Sequence, residues 1–136
     1  MIIKGKTRAH ARALGRYLLS DKNDHVEVHE VRGFASTGVM GAMSELDAVS
    51  KGVKSKAPIF SVVLSQPPNE SVDVEVYEQA IDRIEEACGL QGQPRIIIFH
   101  EANARRHAHA VWSRIDSEHK LLLVMRSSHG FYSWER

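Results

Sequence analysis

The sequence predicts an α+β fold, a mixed or antiparallel central sheet with helices packed mainly on one face and a histidine-bearing hairpin at its centre. Three observations predict it. Apolar, β-branched runs alternate with stretches of helical periodicity, in the order β-α-β-α-β-α-β-β. The last two runs are joined by a short polar link, and strands joined that way usually pair antiparallel. The 136 residues suit one domain and can bury a real core.

Each element has its own signal. "MIIKG" is a short first strand. Residues 8–19 favour helix, with Ala13, Leu14, Tyr17 and Leu18 on one face, and "SDKND" ends it. "HVEVHEVRGF" alternates as a half-buried strand, with Val26, Val28 and Glu30 pointing one way. Thr37 is a candidate N-cap for a helix whose Val39, Met43, Leu46, Val49 and Val53 recur at helical spacing. Met40 and Met43 read as core filling. "APIFSVVLSQPP" is a central strand closed by two prolines. Ser71 can cap the third helix, Asp73 and Glu75 suit its first turn, and Gly89 can end it. The stripe Val74, Tyr77, Ile81, Ile84 and Cys88 places Tyr77 and Cys88 in the core rather than in chemistry. "PRIIIFHE" and "RHAHAVWSRID" are the last two strands, and the run "LLLVM" beyond them reads as one more.

Composition narrows the function classes. Cys88 is the only cysteine, so no internal disulfide can form and a reducing cytoplasm fits. No run approaches membrane-spanning length, and the N-terminus lacks the apolar segment of a signal peptide. A net charge of +1 makes no case for nucleic acid by itself. The distribution says more. Lys4, Lys6, Arg8, Arg12 and Arg16 crowd the N-terminus without an acid, and Arg95, Arg105, Arg106 and Arg114 flank the histidines. Such a basic zone attracts phosphates.

The stretch "FHEANARRHAHAVWSRID" carries the chemistry. Side chains on a strand alternate, so His107 and His109 share a face. If 94–101 and 106–115 pair through a loop of about four to six residues, His100 lies opposite His107 or His109 on that same face. Cross-strand neighbours are about 4.5–5.5 Å apart, so three imidazoles can converge on one ion. Such a set leaves coordination positions open, as a catalytic metal requires. Imidazole suits zinc, iron, nickel and copper, whereas Mg²⁺ and Mn²⁺ usually want more oxygen. Trp112 alternates away from the histidines, toward the core. His10, His25, His29, His119 and His129 read as surface or supporting residues.

The same stretch resembles the three-histidine motif of plasmid relaxases, the mobilization nucleases of the histidine-hydrophobe-histidine superfamily, with His107-Ala108-His109 as that triplet. "RALGRYLLSDKNDHVEVHEVRGF" is similar to the family's first motif region, a helix bearing a tyrosine before a strand. The resemblance covers about residues 1–116, a relaxase-like nuclease core, and leaves 117–136 as an atypical short tail. It implies metal-dependent, site-specific nicking and strand transfer on single-stranded plasmid origin DNA, through a covalent tyrosine–DNA intermediate, in a bacterial cytoplasm. It implies Tyr17 as nucleophile and His100, His107 and His109 as ligands of a divalent ion, Mg²⁺ or Mn²⁺, with Zn²⁺ as the alternative. Glu101 would orient a ligand or accept a proton, and Arg105, Arg106 and Arg114 would contact phosphates. Relaxosome accessory proteins would be partners, and no membrane is involved. The chain departs from the family at Ser113, where many relaxases carry an amide, and in its tail, which reads as a truncation after the histidine motif. Two other functions compete: a non-catalytic remnant that binds DNA or a relaxosome partner, and a three-histidine metallohydrolase of other specificity.

Overall fold

The computed structural model describes residues 1–20, 25–53, 57–67, 69–102, 105–118, 120–122 and 131–135, with the backbone alone at 102 and 131–135. The chain runs β1 (Ile2–Arg8), α1 (Ala11–Leu18), β2 (His25–Arg32), α2 (Val39–Ser50), β3 (Ile59–Ser65), α3 (Val74–Ala87), β4 (Arg95–Ala102), β5 (Arg105–Ser113) and β6 (Phe131–Glu135). The six strands form one sheet in the order β2-β4-β5-β3-β1-β6, and every pairing is antiparallel. The α+β class is as the sequence predicts.

Strand alternation divides the core between two faces. On one face Tyr77, Ile81 and Ile84 of α3 and its C-cap Cys88 pack on Phe60, Val62, Leu64, Ile97, Phe99, Ala108, Ala110 and Trp112. On the other, Leu14 and Leu18 of α1 and Val39, Ala42, Met43 and Leu46 of α2 pack on Ile59, Ile96, Ile98 and Val111. Two helices therefore share one face and the third covers the opposite one. The third helix is needed because both faces of the central strands are apolar and each requires a cover. The stripe on α3 is as predicted, with Tyr77 and Cys88 both buried. Gly89 follows the helix C-cap at φ 71°, a left-handed conformation that glycine adopts without a Cβ penalty.

Three local expectations change. Gly38, not Thr37, is the N-cap of α2. Asp73 occupies that position on α3, so Ser71 lies outside it. β2 carries a register shift between Val28 and Glu30, so Glu30 leaves the face of Val28 and pairs with Ile97. That shift lets Glu30 meet the buried Arg95, which also takes Asp82 at 2.9 Å and Glu85 at 3.2 Å. Glu85 in turn accepts from Arg32 and from the Trp112 indole N–H, the latter at 3.0 Å. Burial opposes the charge on Arg95, but its hydrogen bonds to Glu30 and Asp82 outweigh that and raise its pKa. Arg95 is thus held within the fold and is withdrawn from the basic zone expected around the histidines.

α1 and α2 fix each other at close range. A Cβ added at Gly15 would lie 2.8 Å from Met43 Cγ and 3.0 Å from Met40 Sδ, so a side chain there would force both methionines to shift. The N-terminus of α1 has no cap from its own Ncap residue, His10. The carboxylate of Asp47, on α2, accepts from the backbone N–H groups of Ala11 at 2.9 Å and Arg12 at 3.0 Å instead. Of the run 121–125, expected as a further strand, Leu121 makes an isolated bridge to Ile115, and 123–125 lie outside the described residues. The sixth strand comes from "FYSWE", which pairs with β1. Among the described residues no helix is long and apolar enough to cross a membrane.

Candidate functional site

β4 and β5 pair with His100 opposite His107 and Ile98 opposite His109. Only residues 103 and 104 separate the strands, a tighter link than the sequence reading allowed. The histidines are in phase with Ile96, Ile98 and Val111, which places all three on the face that carries α1 and α2. His100 is buried, while His107 and His109 are partly exposed. The rings of His100 and His109 stack in parallel with centroids 4.0 Å apart, and those of His100 and His107 are 6.5 Å apart. Ser65 Oγ lies 2.9 Å from His107 Nδ1 and can orient that ring.

All three imidazoles are pushed toward the neutral form. Burial lowers the pKa of His100, with a further contribution from His107. Burial and the Arg105 charge lower that of His107. His109 falls to about 3, from burial first and then from His100, His107 and Arg8. Neutral imidazoles are the form that ligates a metal. The donor chemistry therefore fits a divalent cation. The ring directions are another matter: among the described residues no group of three His, Cys, Asp or Glu side chains is arranged to hold one.

The other predicted residues divide by strand parity. Tyr17 is 61% exposed on α1, outside the core face that its helical spacing allowed. It lines an open cleft of about 390 Å³ with Lys6, Thr7, Arg8, His10 and Leu14. Arg105 shares the face of His107 and donates to the Gln66 carbonyl at 2.7 Å. Glu101 and Arg106 project to the opposite face, where they approach to 3.8 Å and Arg106 lies over the Phe99 ring. Neither is brought to the histidines, because each is an odd number of residues out of phase with them. Arg114 is 7% exposed. It donates to the carbonyls of Ala57 at 2.6 Å and Leu122 at 3.1 Å, so it ties chain segments together rather than facing phosphate. Ser113, at the family's amide position, is buried and accepts from the Ile115 N–H. Among the remaining histidines, His29 pairs with Glu78 at 3.3 Å, and His119 and His129 lie outside the described residues.

The sequence marks Arg8 only as one cation of a basic N-terminus and gives no sign of Ser61. Lys4, Lys6 and Arg8 recur at every second residue of β1, which is a strand face of cations. The signal was legible but was divided between a strand ending at Gly5 and a helix starting at Arg8.

One family model matches residues 17–133, that of the relaxase MobA/VirD2-like nuclease domain. The match spans most of the chain, including the last two strands of the histidine motif and all but two residues of β6. No curated protein and no solved structure matches. The family is one of DNA nucleases of plasmid mobilization, generally dependent on a metal. On that match, and with an antiparallel sheet that gathers three histidines on one face, the chain belongs to the MobA/VirD2-like relaxase nuclease domains.

Proposed function

We propose that this chain nicks single-stranded plasmid origin DNA for conjugative mobilization, with Tyr17 as nucleophile and His100, His107 and His109 holding a divalent ion. The observation that carries the reading is the shared face: three neutral imidazoles lie on the side of the sheet that α1 covers, and α1 presents Tyr17 to solvent. A core tyrosine would be buried, as Tyr77 is.

In the proposed step the Tyr17 oxygen forms a bond to the scissile phosphorus while the bond to the 3′ oxygen breaks. The electron pair leaves on that oxygen, which ends as a 3′-hydroxyl, and the phenolic proton passes to water. One diester replaces another, so the later strand transfer can reverse the step. The protein's part is positioning and charge stabilisation. A divalent ion, when bound, would polarise the phosphoryl oxygen. Mg²⁺ or Mn²⁺ is expected from the family, although an all-imidazole set suits Zn²⁺ at least as well. Ser65 would hold the His107 ring in place. Arg105, on the same face, would meet a neighbouring phosphate. The setting would be the bacterial cytoplasm, with relaxosome proteins as further partners.

The parallel stack of His100 and His109 favours a second reading, a chain that binds DNA without nicking it. A denaturing gel after incubation with single-stranded DNA and Mn²⁺ separates the two. A covalent adduct lost on Tyr17→Phe supports the first. Salt-sensitive binding without any adduct supports the second.

A further inference from the structure

Arg8 stands between the two halves of the site. It closes β1, directly opposite Ile59 on β3, and so belongs to the face that carries α1 and the histidines. Its Nε donates to Ser61 Oγ at 2.7 Å, and Ser61 itself is 6% exposed. Ser61 pairs with Val111 on β5, one alternation from His109. On its other side Arg8 lines the cleft of Tyr17. The anchor is a neutral hydroxyl. Among the described residues Arg8 makes no ion pair, whereas Arg12, Arg32, Arg95 and Arg106 each have a carboxylate within 4 Å. The charge of Arg8 is also felt by His109. A half-buried guanidinium fixed through one nitrogen, with the rest of its fork uncommitted to an acid, is suited to bidentate contact with a phosphate.

We propose that Arg8, held by Ser61, binds the non-bridging oxygens of the phosphate that Tyr17 attacks. This rests on the nicking reading above. The guanidinium would turn the scissile phosphorus toward Tyr17 and offset the charge that grows on its oxygens. Ser61 is a positioning residue, since it acts only through Arg8.

The test uses the full chain with Mn²⁺. Strands that form adducts are first captured from random-sequence single-stranded 40-mers under denaturing conditions, and the recovered sequence is then synthesised. Arg8→Ala should slow adduct formation about 100-fold, as loss of one charge-stabilising donor does. Arg8→Lys should recover part of the rate, and Ser61→Ala should lose about tenfold. A methylphosphonate at the scissile position removes the charge that Arg8 meets. On that strand the Arg8→Ala loss should shrink to about threefold or less, which a merely structural role would not produce. Equal losses on both strands, or no loss on either, would overturn the Arg8 assignment while leaving the nicking reading intact. Absence of any adduct from the unaltered chain would overturn the nicking reading and the assignment with it.

Discussion

The imidazole of His100 lies flat against that of His109, with centroids 4.0 Å apart and 1° between their planes. Parallel rings do not aim two nitrogens at one point. The backbone brings the histidines together, but a bound ion would have to turn at least one of these rings about its side-chain torsions.

Metal binding should therefore be measurable apart from nicking. Titration with Mn²⁺ or Zn²⁺ is expected to raise the unfolding midpoint, reversibly with EDTA. At 100 times its dissociation constant a ligand stabilises by about 2.7 kcal/mol. His109→Ala should abolish the shift. A midpoint indifferent to either metal in the unaltered chain contradicts the ligand set.

The same histidines predict an acid sensitivity in metal-free protein. His109 has a folded pKa of about 3, below its ordinary 6.5. Between those values the unfolded chain binds the proton and the folded chain does not. The stabilising contribution is thus complete above about pH 6.5 and is lost as pH falls toward 3. Urea unfolding in EDTA at pH 7 and pH 5 should show lower stability at pH 5. His109→Gln should flatten that difference, and an unchanged difference would refute the cause.

Asp47 links the fold to the helix of the proposed nucleophile. Its carboxylate accepts from two free N–H groups at the start of α1, the helix that carries Tyr17. Asp47→Ala leaves those donors without a cap, and the expected cost is about 1–2 kcal/mol by chemical denaturation. Adduct formation should fall as α1 loses its anchorage, while metal binding should persist. Loss of metal binding in a folded Asp47→Ala chain would show that the two halves of the site are coupled through the core.

How much of this was legible depends on the range of the interaction. The α3 stripe and its glycine stop are local, and the sequence carried both. The register of His100 against His107 was readable as one of two options, because alternation fixes the face but not the partner. The β2 bulge was not readable, since it answers to the position of Arg95, 65 residues away from Glu30. The cap on α1 was hidden for the same reason, with Asp47 lying 36 residues beyond Ala11. Glu101 and Arg106 lie on the opposite face from the histidines, as alternation alone assigns them. Arg114 looked like a surface cation, and only the closing of Ala57 and Leu122 around it reveals a structural tie.

Tyr17 and the three histidines are proposed to work on one phosphodiester. The most direct test is a denaturing gel of the unaltered chain incubated with its captured single strand and Mn²⁺, run beside Tyr17→Phe and an EDTA control. A covalent protein–DNA band is expected in the first lane and absent from the other two. A band that persists in Tyr17→Phe would contradict the assignment of the nucleophile, and a band that persists in EDTA would contradict the role of the histidines.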